Sequence, residues 1–242
     1  MREVSYFAPT EVGEAVKLLA EHGAEAAILA GGTDLVKELN YYDVKPGALL
    51  YIGGLGLDYI KEEDGKLVIG AGTTVAHLIA SDLLADKFEL LVAAAKTHAT
   101  PAVRSVATIG GNLGTASPAG DLLPPLLVMD AELLLVSAKG ERVVAVHDFF
   151  SGPGETVLAA DELIVEVRVP LKAGRTAFKK LGLRKAQTCS IVTATVRLEM
   201  DGGLCQDARI VLGSMAPTPL RCTAAEKMIK GEPLDEELIA KC

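Results

Sequence analysis

Twice in this chain a short apolar run breaks into paired glycines and a polar turn. The first is Ile28-Leu29-Ala30-Gly31-Gly32-Thr33-Asp34-Leu35. The second is Ala107-Thr108-Ile109-Gly110-Gly111-Asn112-Leu113-Gly114-Thr115-Ala116-Ser117-Pro118-Ala119-Gly120-Asp121. A buried strand that ends in glycines and opens a helix presents unpaired N–H groups at the positive end of the helix dipole, which suits a phosphate or pyrophosphate. The same glycines can serve a tight turn at positive φ, and on the first segment alone the two readings stand level. The second segment is expected to be an irregular loop, because so few bulky side chains bury little apolar surface. Such a loop is ordered by a ligand or lies plain on the surface. Asp121 is repelled by phosphates. It is expected to accept hydrogen bonds from sugar hydroxyls or a ring N–H, or to cap the helix that follows.

Periodicity predicts helices over Thr10–His22, capped by Thr10, over Asp34–Leu39, from Thr74 to Ala80, and as one long element over Asp86–His98. Asp121 to Met129 reads as helical, with Pro124 and Pro125 tolerated near its first turn. Short strands are expected at 26–30, 49–52, 132–137, 142–146 and 163–169, with a hairpin across Asp64-Gly65. Ile191 to Met200 and Ala208 to Leu212 read as further strands, and helical pieces follow near Thr223–Lys230 and from Asp235. The sum is an α+β chain in three parts, 1–54, 55–172 and 173–242.

Composition removes several function classes. The chain has 24 Lys and Arg against 32 Asp and Glu, a formal charge of −8, so a generic nucleic-acid grip is not expected. No apolar run reaches the roughly 18 residues of a membrane helix, and Met1–Phe7 lacks a secretory apolar region. A cytoplasmic protein with reduced thiols is the expectation. Cys189, Cys205, Cys222 and Cys242 form no Cys-x-x-Cys pair, and His22, His77, His98 and His147 are scattered, so no bound metal is expected. A P-loop, a Rossmann fingerprint and a Gly-x-Ser-x-Gly elbow are all missing. Trp is absent and the aromatic rings are five Phe and five Tyr, few with which to stack a planar ligand.

The two glycine turns, taken with Ser117-Pro118-Ala119-Gly120-Asp121, closely resemble the FAD-binding subunit of molybdenum hydroxylases. That family includes the medium subunit of carbon monoxide dehydrogenase and the FAD domain of xanthine dehydrogenase. Pro9-Thr10-Glu11, Ala131-Glu132-Leu133, Asp148-Phe149-Phe150, Asp161-Glu162-Leu163-Ile164 and Ala216-Pro217-Thr218-Pro219-Leu220-Arg221 are similar to family segments along the whole chain. The resemblance implies a two-subdomain FAD-binding fold of the vanillyl-alcohol-oxidase type, then a small C-terminal α/β domain. It implies FAD between the subdomains, Ile28–Leu35 around the pyrophosphate, and Thr108, Ile109, Gly110, Gly111 and Asn112 opposite. It further implies contacts from Ser117 and Asp121 and, more softly, from His98, Ile164 and the basic residue after an aromatic, matched to Lys179 in Phe178-Lys179. Strand core, solvated charge and a helix-end histidine are the plain roles of Ile164, Lys179 and His98.

By the same resemblance the substrate is oxidised on a molybdopterin-binding large subunit. Electrons cross [2Fe–2S] clusters of a small subunit and leave through FAD on this chain to an acceptor. No acid–base or nucleophile constellation is evident here, as expected where the cofactor carries the chemistry. Two competing readings are a stand-alone FAD oxidase and an accessory protein that has lost FAD. The part after residue 173 is small for the first, and the intact Gly31-Gly32 and Gly110-Gly111 pairs oppose the second. Against the family pattern the chain is expected to stop early, as a compact variant or one whose last domain a partner covers.

Overall fold

The computed structural model describes residues 4–42, 44–184 and 187–242. β1 (Ser5–Phe7), α1 (Val12–His22), β2 (Ala26–Leu29), α2 (Leu35–Tyr41) and β3 (Ala48–Tyr51) form a parallel unit with strand order β1-β3-β2. Helix α1 buries Ala15, Val16 and Leu19, the 3.6-residue stripe of its sequence, against Leu50 and Ile52. It begins one turn-position later than expected. Glu11, not Thr10, occupies the N-cap, through its backbone carbonyl alone.

A hairpin follows, β4 (Ile60–Glu63) and β5 (Lys66–Gly70). Its turn residues Asp64 and Gly65 sit at φ +50° and +71°, the left-handed pair that a two-residue hairpin demands. A helical layer comes next: α3 (Val75–Ala80), α4 (Asp82–Lys87), α5 (Glu89–Thr97), α6 (Pro101–Arg104), α7 (Ile109–Thr115) and α8 (Leu123–Val128). Thr74 caps α3 as predicted, accepting from the His77 amide at 3.1 Å. Two expectations fail here. The long helix over Asp86–His98 is two helices broken at Phe88, whose φ of −147° lets its ring drop into the core. The segment Ala107–Asp121, read as an irregular loop, holds α7. Thr108 caps α7 through the Gly111 amide at 3.0 Å, and Ile109 and Leu113, four apart, are fully buried.

The chain returns through β6 (Glu132–Ser137), β7 (Gly140–Ala145), the turn α9 (Val146–Phe149), the small hairpin β8 (Phe150–Gly152) and β9 (Glu155–Thr156), and β10 (Leu163–Pro170). These complete an antiparallel sheet of order β4-β5-β10-β6-β7. One face of it, with Leu67, Ile69, Leu133, Leu135, Val167 and Val169, packs on the helical layer as the largest core. The opposite face reaches α1 through Leu163, Val165 and Val136.

β11 (Arg175–Gly182), β12 (Ser190–Asp201), β13 (Leu204–Gly213) and β14 (Leu220–Arg221) form a second antiparallel sheet, followed by α10 (Thr223–Ile229) and α11 (Glu236–Lys241). Helix α8 is apolar all round because it lies between this sheet and the main core, with every residue from Leu123 to Val128 buried. Gly213 permits that approach: a Cβ there would meet Thr193 Oγ1 at 2.3 Å and Pro124 Cγ at 3.0 Å. Among the described residues no helix is long and apolar enough to cross a membrane, and no group of His, Cys, Asp or Glu could hold a metal ion.

Candidate functional site

The two glycine turns face one cavity of about 540 Å³ between the β1–β3 unit and the large sheet with its helices. That volume is in the range of about 300–1,000 Å³ usual for small-molecule sites. Ile28, Ala30, Gly31, Gly32, Thr33, Asp34 and Leu35 line one side; Thr108, Gly110, Gly111 and Asn112 line the other. His98 and Ile164 complete what the sequence brought forward. Gly114 and Thr115, within the second segment, also line it, as do Gly154, Thr156 and Glu162, to which no contact was assigned.

The turns are built differently. In the first, Gly31 passes so close to the chain before α7 that a Cβ would sit 2.0 Å from the Val106 carbonyl oxygen. Gly32 then takes φ +71°. No acceptor among the described residues meets the N–H groups of Gly32, Thr33 and Asp34. Successive free amides in a turn make an anion-binding concavity. In the second turn the amides are already used. Ile109 donates to Thr73 O (3.0 Å), Gly110 to Ala71 O (2.9 Å), and Gly111 to Thr108 Oγ1 (3.0 Å). Helix α7 offers instead a bare surface. Gly114 has nothing within 4 Å of a built Cβ, while Gly110 is required by Ala71 behind it. Asn112, on this wall, buries its Oδ1 without a hydrogen-bond partner.

No Lys or Arg lines the cavity among the described residues. The groups available there to an anionic ligand are backbone N–H groups and His98, and the glycines of α7 leave room for close approach. These features fit a dinucleotide: free amides for a pyrophosphate, a glycine cradle that a Cβ would fill, and an orphaned amide oxygen.

Leu29, Ile109, Ser117, Asp121 and Lys179 lie off the wall. Leu29 is engaged in β2, its carbonyl accepting from Ile52, and Ile109 is core. Ser117 makes the turn before α8, its Oγ accepting from the Ala119 amide at 3.3 Å. Asp121 does not cap α8, whose N-cap is Leu122. Its carboxylate is held by the protein itself: Oδ2 lies 2.7 Å from Lys180 Nζ and 3.5 Å from His98 Nδ1, and Oδ1 accepts from Ser190 Oγ at 2.7 Å. Burial pushes the Asp121 carboxyl up, but hydrogen bonds from His98, Lys180 and Ser190, with the Lys180 charge, outweigh it and hold it below its ordinary value. The strand pleat puts Phe178 and Lys180 on the inner face of β11 and leaves Lys179 exposed on the other. The inward cation is thus Lys180, one residue beyond the position matched by resemblance.

Comparison with known proteins shows the family. A family model described as the FAD binding domain in molybdopterin dehydrogenase matches residues 2–172, and one described as the CO dehydrogenase flavoprotein C-terminal domain matches 176–242. This chain belongs to the FAD-binding subunits of the molybdenum hydroxylases. The nicotinate dehydrogenase FAD-subunit of Eubacterium barkeri is 35% identical over 245 residues, which cover 98% of this chain and 83% of the relative. The carbon monoxide dehydrogenase medium chain of Hydrogenophaga pseudoflava is 35% identical over 237 residues, covering 97% and 82%. The solved quinoline 2-oxidoreductase of Pseudomonas putida 86 superposes with a TM-score of 0.94 at 30% identity, over 99% of this chain and 84% of that one. As a member of this family of FAD-binding subunits, the chain binds FAD and is an oxidoreductase component with an α+β fold, an FAD-binding domain followed by a C-terminal domain of the CO dehydrogenase flavoprotein type.

Proposed function

We propose that this chain carries electrons within a cytoplasmic molybdenum-containing hydroxylase or dehydrogenase. It receives them from [2Fe–2S] clusters of a small partner subunit, after substrate oxidation on a molybdopterin-binding large subunit, and passes them to an acceptor. The observation that carries the reading is a cavity between two glycine turns that offers free backbone amides on one side and a bare glycine surface on the other. The "medium chain" and "FAD-subunit" names of its relatives support an assembly of this kind.

FAD supplies the exchange of electrons when bound. The chain's own residues bind, orient and insulate. In this reading Gly32, Thr33 and Asp34 donate backbone hydrogen bonds to the pyrophosphate. Ile28–Leu35 wraps it, and Thr108–Asn112 with Gly114 forms the opposite surface. Ile164 and Leu163 close the cavity from the sheet, and His98, with Asp121 behind it, forms the polar end. Ser117 shapes the turn that carries Asp121. We read 1–54 and 55–172 as the two subdomains that embrace the cofactor, and 173–242 as the part that braces α8 and supplies Lys180.

Affinity purification from the native host tests the assembly. Co-purification of a molybdopterin subunit and an iron–sulfur subunit, with flavin bleaching when substrate is added, is the expected result. A flavoprotein that purifies alone and is reduced directly by an organic substrate overturns the reading in favour of a stand-alone oxidase.

A further inference from the structure

One stretch of the cavity wall is held differently from the rest. The β2–α2 turn is wedged against Val106, α7 is anchored by fully buried Ile109 and Leu113, and Ile164 belongs to a central strand. Residues 156–162 are backed more lightly: Leu158 packs against the main core and the Val157 amide donates to the Phe149 carbonyl at 2.9 Å. Val157, Ala159 and Ala160 are exposed, and Thr156, Leu158, Ala159, Ala160 and Glu162 line the cavity. A segment with few buried apolar contacts opens at low cost unless something else secures it.

Arg142 secures it from the edge strand β7. Its Nε and Nη2 grip Glu162 Oε1 and Oε2 at 2.5 and 2.7 Å, and Nη2 also donates to the Val157 carbonyl at 2.9 Å. Glu162 in turn accepts from the Ala159 amide at 2.8 Å. The Arg142 and Glu162 side chains are 45% and 10% exposed, against 83% and 22% for the neighbouring Lys139–Asp161 contact. A planar guanidinium binding a carboxylate through two parallel bonds fixes direction as well as distance.

We propose that Arg142 and Glu162 form a clasp that holds residues 156–162 closed against bound FAD and sets the rate at which FAD leaves. Both are positioning residues, and the proposal rests on the cavity being the FAD site. With the clasp made, the 156–162 wall is fixed at Val157, Ala159 and Glu162. Without it, the stretch between Leu158 and β10 is held by the exposed Lys139–Asp161 contact and by the Glu162 amide's bond to the Ala159 carbonyl.

Release of FAD from the diluted holoprotein, followed by recovery of free-flavin fluorescence, tests this. Arg142→Gln and Glu162→Gln should each release FAD at least about five times faster, as expected for loss of a charge-assisted bidentate bond. The exchanged pair Arg142→Glu with Glu162→Arg should return to within about twofold of the parent, as pair restoration requires. Lys66→Gln, which breaks the Lys66–Glu132 contact on the same sheet, should not change release. Amide exchange in Arg142→Gln should quicken over 156–162 and not over α7. If that variant does not fold, Arg142→Lys, which keeps charge and loses the fork, is read in the same assay. Release at the parent rate, or exchange quickened equally throughout, overturns the clasp. A parent protein that retains no FAD overturns the assignment of the cavity instead, a separate result.

Discussion

Lys180 Nζ lies 2.7 Å from Asp121 Oδ2, with the two side chains 8% and 5% exposed. The pair joins the C-terminal sheet to the turn ahead of α8, and His98 extends it to the cavity wall. Removing one member of such a pair strands a buried charge. Lys180→Met should therefore cost about 3–5 kcal/mol in urea unfolding. Lys179→Met, on the exposed face of the same strand, should stay within about 0.5 kcal/mol. Equal effects would show that the pleat assignment of β11 is wrong.

Acid should expose the same carboxylate. The folded Asp121 carboxyl ionises more readily than the unfolded one, so the unfolded chain binds more protons in the intervening pH range. Its stabilisation is complete above the unfolded value, about pH 4, and is lost as pH falls through the folded value. Glu162, Glu166 and Asp207 are lowered too, by Arg142 for the first and, against burial, by Tyr59 and Arg168 or Arg209 and Arg197 for the others. Asp121→Asn should thus flatten part of the acid limb below about pH 4. Unfolding midpoints that follow the parent slope throughout would contradict the lowered Asp121.

The glycines divide into two kinds. Gly31→Ala drives a Cβ into the Val106 carbonyl at 2.0 Å and should yield little folded protein. Gly114→Ala meets open space inside a helix, so it should raise the stability of the flavin-free protein by about 0.5–1 kcal/mol. It should also weaken FAD binding by narrowing the cavity. Thermal melting alongside the flavin-to-protein ratio separates the two effects. A stabilised Gly114→Ala with undiminished flavin affinity would remove α7 from the contact surface.

Gly111→Val places a branched side chain where only the Thr108 hydroxyl is near, at 3.0 Å. Flavin content of the purified variant is expected to fall close to zero while its circular dichroism stays that of the parent. Full flavin occupancy would sink the assignment of Thr108–Asn112.

The strand runs and the first glycine turn were legible because apolar runs punctuated by Gly constrain the backbone strongly. Helix α7 was not: three glycines lower its propensity, and only the Thr108 cap and the Ile109–Leu113 spacing mark it. The break at Phe88 carries no Gly or Pro and is imposed by burial of its ring. Choosing Lys180 over Lys179 needed the register of β11 on β12, where Lys180 opposes Thr193. In the wall at 154–163 the family-like Asp161-Glu162-Leu163 was visible, but not its contact with Arg142, which arises only through tertiary folding.

The visible spectrum of the purified chain, before and after acid precipitation, tests the central claim most directly. A yellow protein that releases free FAD into the supernatant is the predicted result. A colourless protein that cannot be reconstituted with FAD, or a flavin that stays with the precipitate, would contradict it.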